Sequence, residues 1–228
     1  MPYANWTYKA RNPIQRLSHK RRFEKTARLI ERILPEGGSL LDFGCADGFL
    51  LSKLNHRLPS STVLNGYEPF PDSKVDYSLV IFNDEAQLEG RIYDVVSCFE
   101  VLEHFSQKNA AKLIATMKKH LSPDGQLVIS VPVEGGPVGL FKGLTRKMFD
   151  RRLSYQYTWR NLWRTLWFLP LDEWRQADGY LDHIGFYFRN LLPLLEKDFS
   201  LQRVEYSPFP IPGQLINSQI YAIFRPKH

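Results

Sequence analysis

The stretch SLLDFGCADGFLLSKL, residues 39–54, constrains the fold more than any other part of the chain. Its apolar start reads as a buried strand, two glycines mark a turn, and Phe49, Leu50, Leu51 and Leu54 open an amphipathic helix. A strand that passes through glycines into a helix N-terminus is a nucleotide-type site: glycine lets the backbone approach a ligand, and the first helical turn offers free N–H groups.

The segments that follow keep alternating. STVLNGYEP (61–69), YSLVIF (77–82), YDVVSCFE (93–100) and QLVISVPV (126–133) read as strands, and KNAAKLIATMKKHL (108–121) as a helix. Strands of this apolar character separated by helices predict a parallel sheet covered by helices on both faces. After Val133 the rhythm breaks over residues 134–182, which hold four of the five tryptophans. It resumes with FYFRNLLPLLEKDF (186–199), LQRVEYSPF (201–209) and SQIYAIFRP (218–226), the last two placed to form an antiparallel pair. The expected organisation is a basic helical extension over 1–37 and one domain over 38–228 that carries 134–182 as an inserted helical lid. At 228 residues, two independent domains would be cramped.

Charge is local. Residues 1–34 hold nine Lys/Arg against two Asp/Glu, leaving the rest of the chain with 21 against 22. A second basic stretch, 138–168, has seven Lys/Arg and only Asp150 opposing them. Clustered positive charge beside aromatics suggests an anionic partner such as phosphate, nucleic acid or an acidic membrane surface. No apolar run approaches the roughly 20 residues that span a bilayer, and the first residues lack the apolar segment of a signal peptide. Cys45 and Cys98 have neither disulfide nor zinc spacing. A cytoplasmic location is therefore expected, with peripheral attachment to the inner face of a membrane as its companion.

Glu68 ends the second strand 20 residues after Gly48, where an acid can take both hydroxyls of a ribose. A nicotinamide site would place glycines at 46 and 49, and the chain has Ala46 and the bulky Phe49. The spacing of Asp42, Gly44 and Gly48 suits a different ligand.

Taken in order, LLDFGCADGFLL, the acid in GYEP, YDVVSCFEVLEHF and LSPDGQLVISVP resemble the successive motifs of class I S-adenosylmethionine-dependent methyltransferases, in the branch with a V-L-E-H end to the fourth strand. The resemblance covers roughly residues 38–133 and continues more weakly through 183–226. It implies a Rossmann-like seven-stranded, mostly parallel sheet with an antiparallel last strand. It also implies S-adenosylmethionine as cofactor and S-adenosylhomocysteine as product. Gly44 and Gly48, with Cys45 and Ala46 between them, would line the methionine end. Asp42 would orient the ammonium, Glu68 would hold the ribose, and Asp84 would contact the adenine amino group. Phe99 and Glu100 would stand beside the sulfonium. Ala46 departs from the glycine usual there.

A methyl sulfonium is already electrophilic, so what remains is to position an acceptor and take its proton. FEVLEHF supplies candidates. If it turns helical, Glu100, Glu103 and His104 share one face, and two carboxylates with an imidazole can bind Mg²⁺. The E-x-x-E-H pattern is similar to the metal triplet of ubiquinone-pathway O-methyltransferases and of small-RNA 2′-O-methyltransferases, where a later histidine, here His183, completes the site. His104, Glu103 and His183 are thus the candidate catalytic residues, with Glu100 added if a metal is bound.

In this branch, insertions after the fifth strand form lids over the acceptor. Trp159, Trp163 and Trp167 recur at four-residue spacing beside Arg160 and Arg164, making an aromatic amphipathic helix. It suits a membrane interface, an aromatic acceptor site or packing on the sheet. His183, Gly185 and Phe186 resemble the start of the late helix in envelope-glycan methyltransferases. The expected acceptor is a glycan, a lipid or a lipid-linked small molecule, methylated on oxygen. RNA 2′-O-methylation is the alternative enzyme reading, and a catalytically silent cofactor-binding subunit the alternative outside catalysis.

Overall fold

The computed structural model describes residues 13–70, 79–150, 154–171, 175, 182–209 and 213–227, with the backbone alone over 13–19. Residues 1–12 of the basic extension, parts of the lid region and Trp174 lie outside the described residues. The elements are α1 (Pro13–Ile33), β1 (Ser39–Phe43), α2 (Phe49–Asn55), β2 (Val63–Tyr67), β3 (Val80–Phe82), β4 (Tyr93–Phe99) and α3 (Gln107–Lys119). They continue with β5 (Leu121–Pro132), α4 (Gly136–Phe149), α5 (Trp159–Leu166), α6 (Phe188–Leu195), β6 (Phe199–Ser207) and β7 (Gln219–Pro226).

The seven strands form one sheet in the order β3-β2-β1-β4-β5-β7-β6, mostly parallel with the last strands antiparallel, as expected. β1 lies parallel between β2 and β4, in a register that sets Asp42 beside Gly66 on one side and Ser97 on the other. The chain order reverses at β1, and ligands of open α/β sheets bind beyond the carboxyl ends of strands at such a reversal. β5 starts earlier than its hydrophobic run predicts: Ser-Pro-Asp-Gly, read as a turn, lies inside the strand. Gly125 permits this, because a Cβ there would fall 2.9 Å from the Asp94 carbonyl.

Packing divides the chain into two compact units, residues 1–99, 116–129 and 223–228, and residues 100–115 and 130–222. In the first, Leu40, Leu41, Leu51, Leu54, Val95, Val96, Leu127 and Ile129 are buried around the strands. α1 joins this core through Ala27, Leu29 and Ile30, and Phe23 sits 4.9 Å from the Phe49 ring. In the second, Tyr157, Leu162, Leu171 and Ile184 form a cluster against which Leu140 and Leu144 pack. No helix among the described residues is long and apolar enough to cross a membrane.

Candidate functional site

The loop after β1 takes its shape from three left-handed residues, Gly44 (φ 83°), Ala46 (φ 51°) and Gly48 (φ 74°). Gly48 is demanded twice, since a Cβ would also meet Leu79 and Ile81 side-chain carbons at 2.9 and 2.8 Å. Ala46 accepts a conformation costly for an L-residue, and its amide is held there by the Glu68 carboxylate at 3.0 Å. Glu68 also accepts from the Phe70 amide at 3.1 Å. The acid that ends β2 is thus aimed by two backbone donors.

Asp42 is buried at the end of β1 and accepts a 2.7 Å hydrogen bond from Ser97. Burial pushes its carboxyl up to about 6, against the Ser97 bond and with the help of Glu68. Cys45 is buried, and burial likewise drives its thiol upward, away from thiolate chemistry. Asp84 caps the short 3-10 turn Glu85–Leu88: its carboxylate accepts from the Ala86 amide at 3.0 Å, while Gln87 reaches back to the Asp84 amide. These residues fit S-adenosylmethionine, with a buried acid for an ammonium, a loop free of bulky side chains and a braced carboxylate for two hydroxyls.

In the second unit, the residues after β4 diverge from the helical expectation. Glu100 has φ 57° and Val101 is extended in φ, so helical geometry begins only at Leu102. Glu100 consequently leaves the face shared by its neighbours, and its carboxylate accepts from Gln219, whose amide also bonds Ser130 Oγ at 3.1 Å. Of the four candidate metal ligands, Glu103, His104 and His183 converge, with their ligand atoms within 4.8 Å of one another. The imidazoles meet edge to face with centroids 4.7 Å apart, and Glu103 Oε1 lies 3.9 Å from His104 Nε2.

Glu103 is fully buried, and neither carboxylate oxygen has a hydrogen-bond partner among the described residues. Burial, reinforced by Glu100, raises its carboxyl well above the usual range. His183 Nδ1 is a second buried atom without a partner, and burial lowers that imidazole to about 4. An orphaned carboxylate and an orphaned imidazole side by side are costly unless a proton or cation completes them.

Sequence reasoning missed the supports of this cluster. Glu134, buried just after β5, accepts from Lys142 at 3.1 Å and from Arg146 at 2.5 Å. Burial would push its carboxyl up, but the two cations outweigh that and hold it at about 2. Arg146 also donates to Tyr157 Oη at 3.0 Å. Arg175 donates to the carbonyls of Glu103 (2.7 Å), Phe105 (3.0 Å) and Asp182 (2.8 Å), tying the Glu103–His104 turn to the segment that carries His183. An acid directly after a strand was the one available signal for Glu134. Nothing local marks Arg175.

A protein-family profile described as "Methyltransferase domain" matches residues 18–192. The ubiquinone biosynthesis O-methyltransferase of Photobacterium profundum is 33% identical over 104 residues, covering 41% of this chain and 43% of the relative. The chain thus spans less than half the length of the curated relatives it matches. Among solved structures, a TehB-like SAM-dependent methyltransferase from Corynebacterium glutamicum aligns over 95% of this chain and 100% of its own, with a TM-score of 0.56 and 17% identity. The N-methyltransferase NodS from Bradyrhizobium japonicum, solved with S-adenosyl-l-homocysteine, aligns over 96% and 90% with a TM-score of 0.53 and 16% identity. At these identities the structures speak for the fold.

Proposed function

We propose, for a chain that belongs to the methyltransferase family through its domain at residues 18–192, that it transfers a methyl group from S-adenosylmethionine to a hydroxyl oxygen of a glycan, lipid or lipid-linked acceptor. The observation that carries the oxygen is the pairing of the buried Glu103 with the half-buried His104, with 3.9 Å between carboxylate and imidazole. An amine acceptor needs only to be neutral, whereas a hydroxyl must lose its proton to a base. The curated relatives, O-methyltransferases of ubiquinone biosynthesis, lend support.

When bound, the cofactor supplies an electrophilic methyl on a positively charged sulfur. Asp42 takes its ammonium, Glu68 its ribose hydroxyls, and the loop 44–48 accommodates its methionine end. Asp84, Phe99 and Glu100 are assigned to the adenine and sulfonium sides. With the methyl group supplied by the cofactor, His104 would take the proton that the acceptor hydroxyl gives up. The imidazolium so formed would stand beside the buried Glu103 side chain.

A second reading rests on the same three side chains: Glu103, His104 and His183 would hold a divalent cation such as Mg²⁺, which would acidify the acceptor hydroxyl. Methyl-labelled S-adenosylmethionine, incubated with the purified chain and a cell extract with and without chelator, tests both. Label in organic-extractable or polysaccharide material that survives chelation supports the imidazole base. Label abolished by chelator and restored by Mg²⁺ favours the metal reading, and label in RNA overturns the acceptor class.

A further inference from the structure

The face of α5 that packs inward is not the one its sequence makes most apolar. Asn161, Leu162 and Thr165 are buried, while Trp159, Trp163 and Trp167 are 72%, 61% and 59% exposed. The inversion follows from how α4 and α5 meet. Gly139 and Gly143 of α4 leave no room for a Cβ, which would fall 2.9 Å from Thr165 Cγ2 and 2.6 Å from Leu162 Cδ2 respectively. So close an approach selects the small and branched residues of α5 and turns the indoles out, where Trp163 and Trp167 meet edge to face at 5.7 Å.

Other apolar residues of the same segment, Phe141, Met148, Phe149, Tyr155 and Leu169, are exposed as well, so half of the sixteen large exposed hydrophobics among the described residues fall between 141 and 169. A concentration of this kind on a folded unit marks a binding surface. Its charge is one-signed: from 138 to 171 Asp150 is the sole acid among seven Lys/Arg. Lys142 and Arg146 are engaged by Glu134, but Lys147 stands 5.8 Å over the Trp159 ring, Arg160 is exposed and Arg164 half-buried beside the indoles.

We propose that α4 and α5 form a docking surface for an anionic lipid bilayer, the indoles entering the headgroup and acyl boundary and Lys147, Arg160 and Arg164 meeting lipid phosphates. Tryptophan and arginine together suit that boundary, the ring amphipathic and the cation carried on an apolar stem. A second copy of the chain fits less well, because a two-fold contact would press this cationic surface onto itself. The proposal holds whatever group the enzyme methylates, and the cofactor site lies on other residues.

Flotation of the full chain with vesicles of equal phosphatidylglycerol and phosphatidylcholine, beside pure phosphatidylcholine, tests it. Binding to the anionic vesicles at least about tenfold stronger, and weakened by added salt, is expected. Trp159→Ser/Trp163→Ser/Trp167→Ser should abolish it, and Arg160→Glu/Arg164→Glu should reduce it about tenfold, both with unchanged S-adenosylhomocysteine affinity. A polarity-sensitive dye on Trp163→Cys, with Cys45 and Cys98 both buried, should shift to the blue on anionic vesicles and so reads the site without the triple variant. No flotation of the parent chain, equal flotation of the tryptophan variant, or a dye that senses no apolar phase overturns the proposal. So does a dimer in sedimentation that the tryptophan variant dissolves, which would assign the surface to a second copy or, in mixed complexes, to a protein partner.

Discussion

Ser97 and Asp42 occupy adjoining positions on parallel strands, and the serine hydroxyl donates to the buried carboxylate at 2.7 Å. Burial nevertheless wins and raises the Asp42 carboxyl from 3.8 to about 6. A ligand ammonium binds the ionised form, so S-adenosylhomocysteine affinity should fall as pH drops through about 6. Calorimetry between pH 5 and 8 should show this fall in the parent chain and a flat, roughly tenfold or more weakened profile in Asp42→Asn. Stability of the ligand-free protein runs the other way. The folded chain keeps a proton that the unfolded chain releases from about pH 4, so this group's stabilising contribution fades as pH rises toward 6.

His104→Ala should lower turnover by about 10² to 10⁴-fold, the usual reach of a positioned base, with cofactor affinity intact. Glu103→Gln should lower turnover while leaving the thermal midpoint unchanged or higher, because it removes the chargeable group from a site with no hydrogen-bond partner. A Glu103→Gln variant with full turnover would detach the carboxylate from the proton transfer.

Glu134 is buried and neutralises two half-buried cations. Glu134→Ala should cost about 3–5 kcal/mol in urea unfolding, since it strands Lys142 and Arg146. The carboxyl is held below its ordinary 4.5, at about 2. Its stabilising contribution is therefore complete above pH 4.5 and lost as pH falls toward 2.

Gly139→Ala should destabilise by about 1–3 kcal/mol through overpacking, because its Cβ would lie 2.4 Å from the Glu134 carbonyl oxygen as well as against Thr165. Gly90→Ala is the control. Its added Cβ meets nothing within 4 Å, although its φ of 73° still carries the ordinary left-handed cost. Thermal unfolding of the two variants separates crowding from backbone strain.

How much of this was legible depends on the distance over which each feature is encoded. The strand, glycine turn and helix at 39–55 are local, and so is the reversal of hydrophobic rhythm that sets the strand sequence. Glu68 could be found by counting, since strand and loop lengths fix where β2 ends. The Glu100 expectation assumed a helix starting at Glu100, and a single left-handed residue at the strand end removed it from the set. The tryptophans were legible as a stripe and illegible as a direction, because Gly139 and Gly143 on another helix determine which face of α5 is covered.

The sequence by itself determined the alternating strand-helix order, the glycine loop after the first strand and the acids at strand ends, because each follows from periodicity and from the backbone freedom of particular residues. Only the tertiary structure decided that Glu103 and His183 meet, 80 positions apart, that Arg175 ties their two segments together, and that three indoles face outward. Those outcomes depend on which distant groups share one buried volume, and charge pairing and close packing fix that only once the chain has folded.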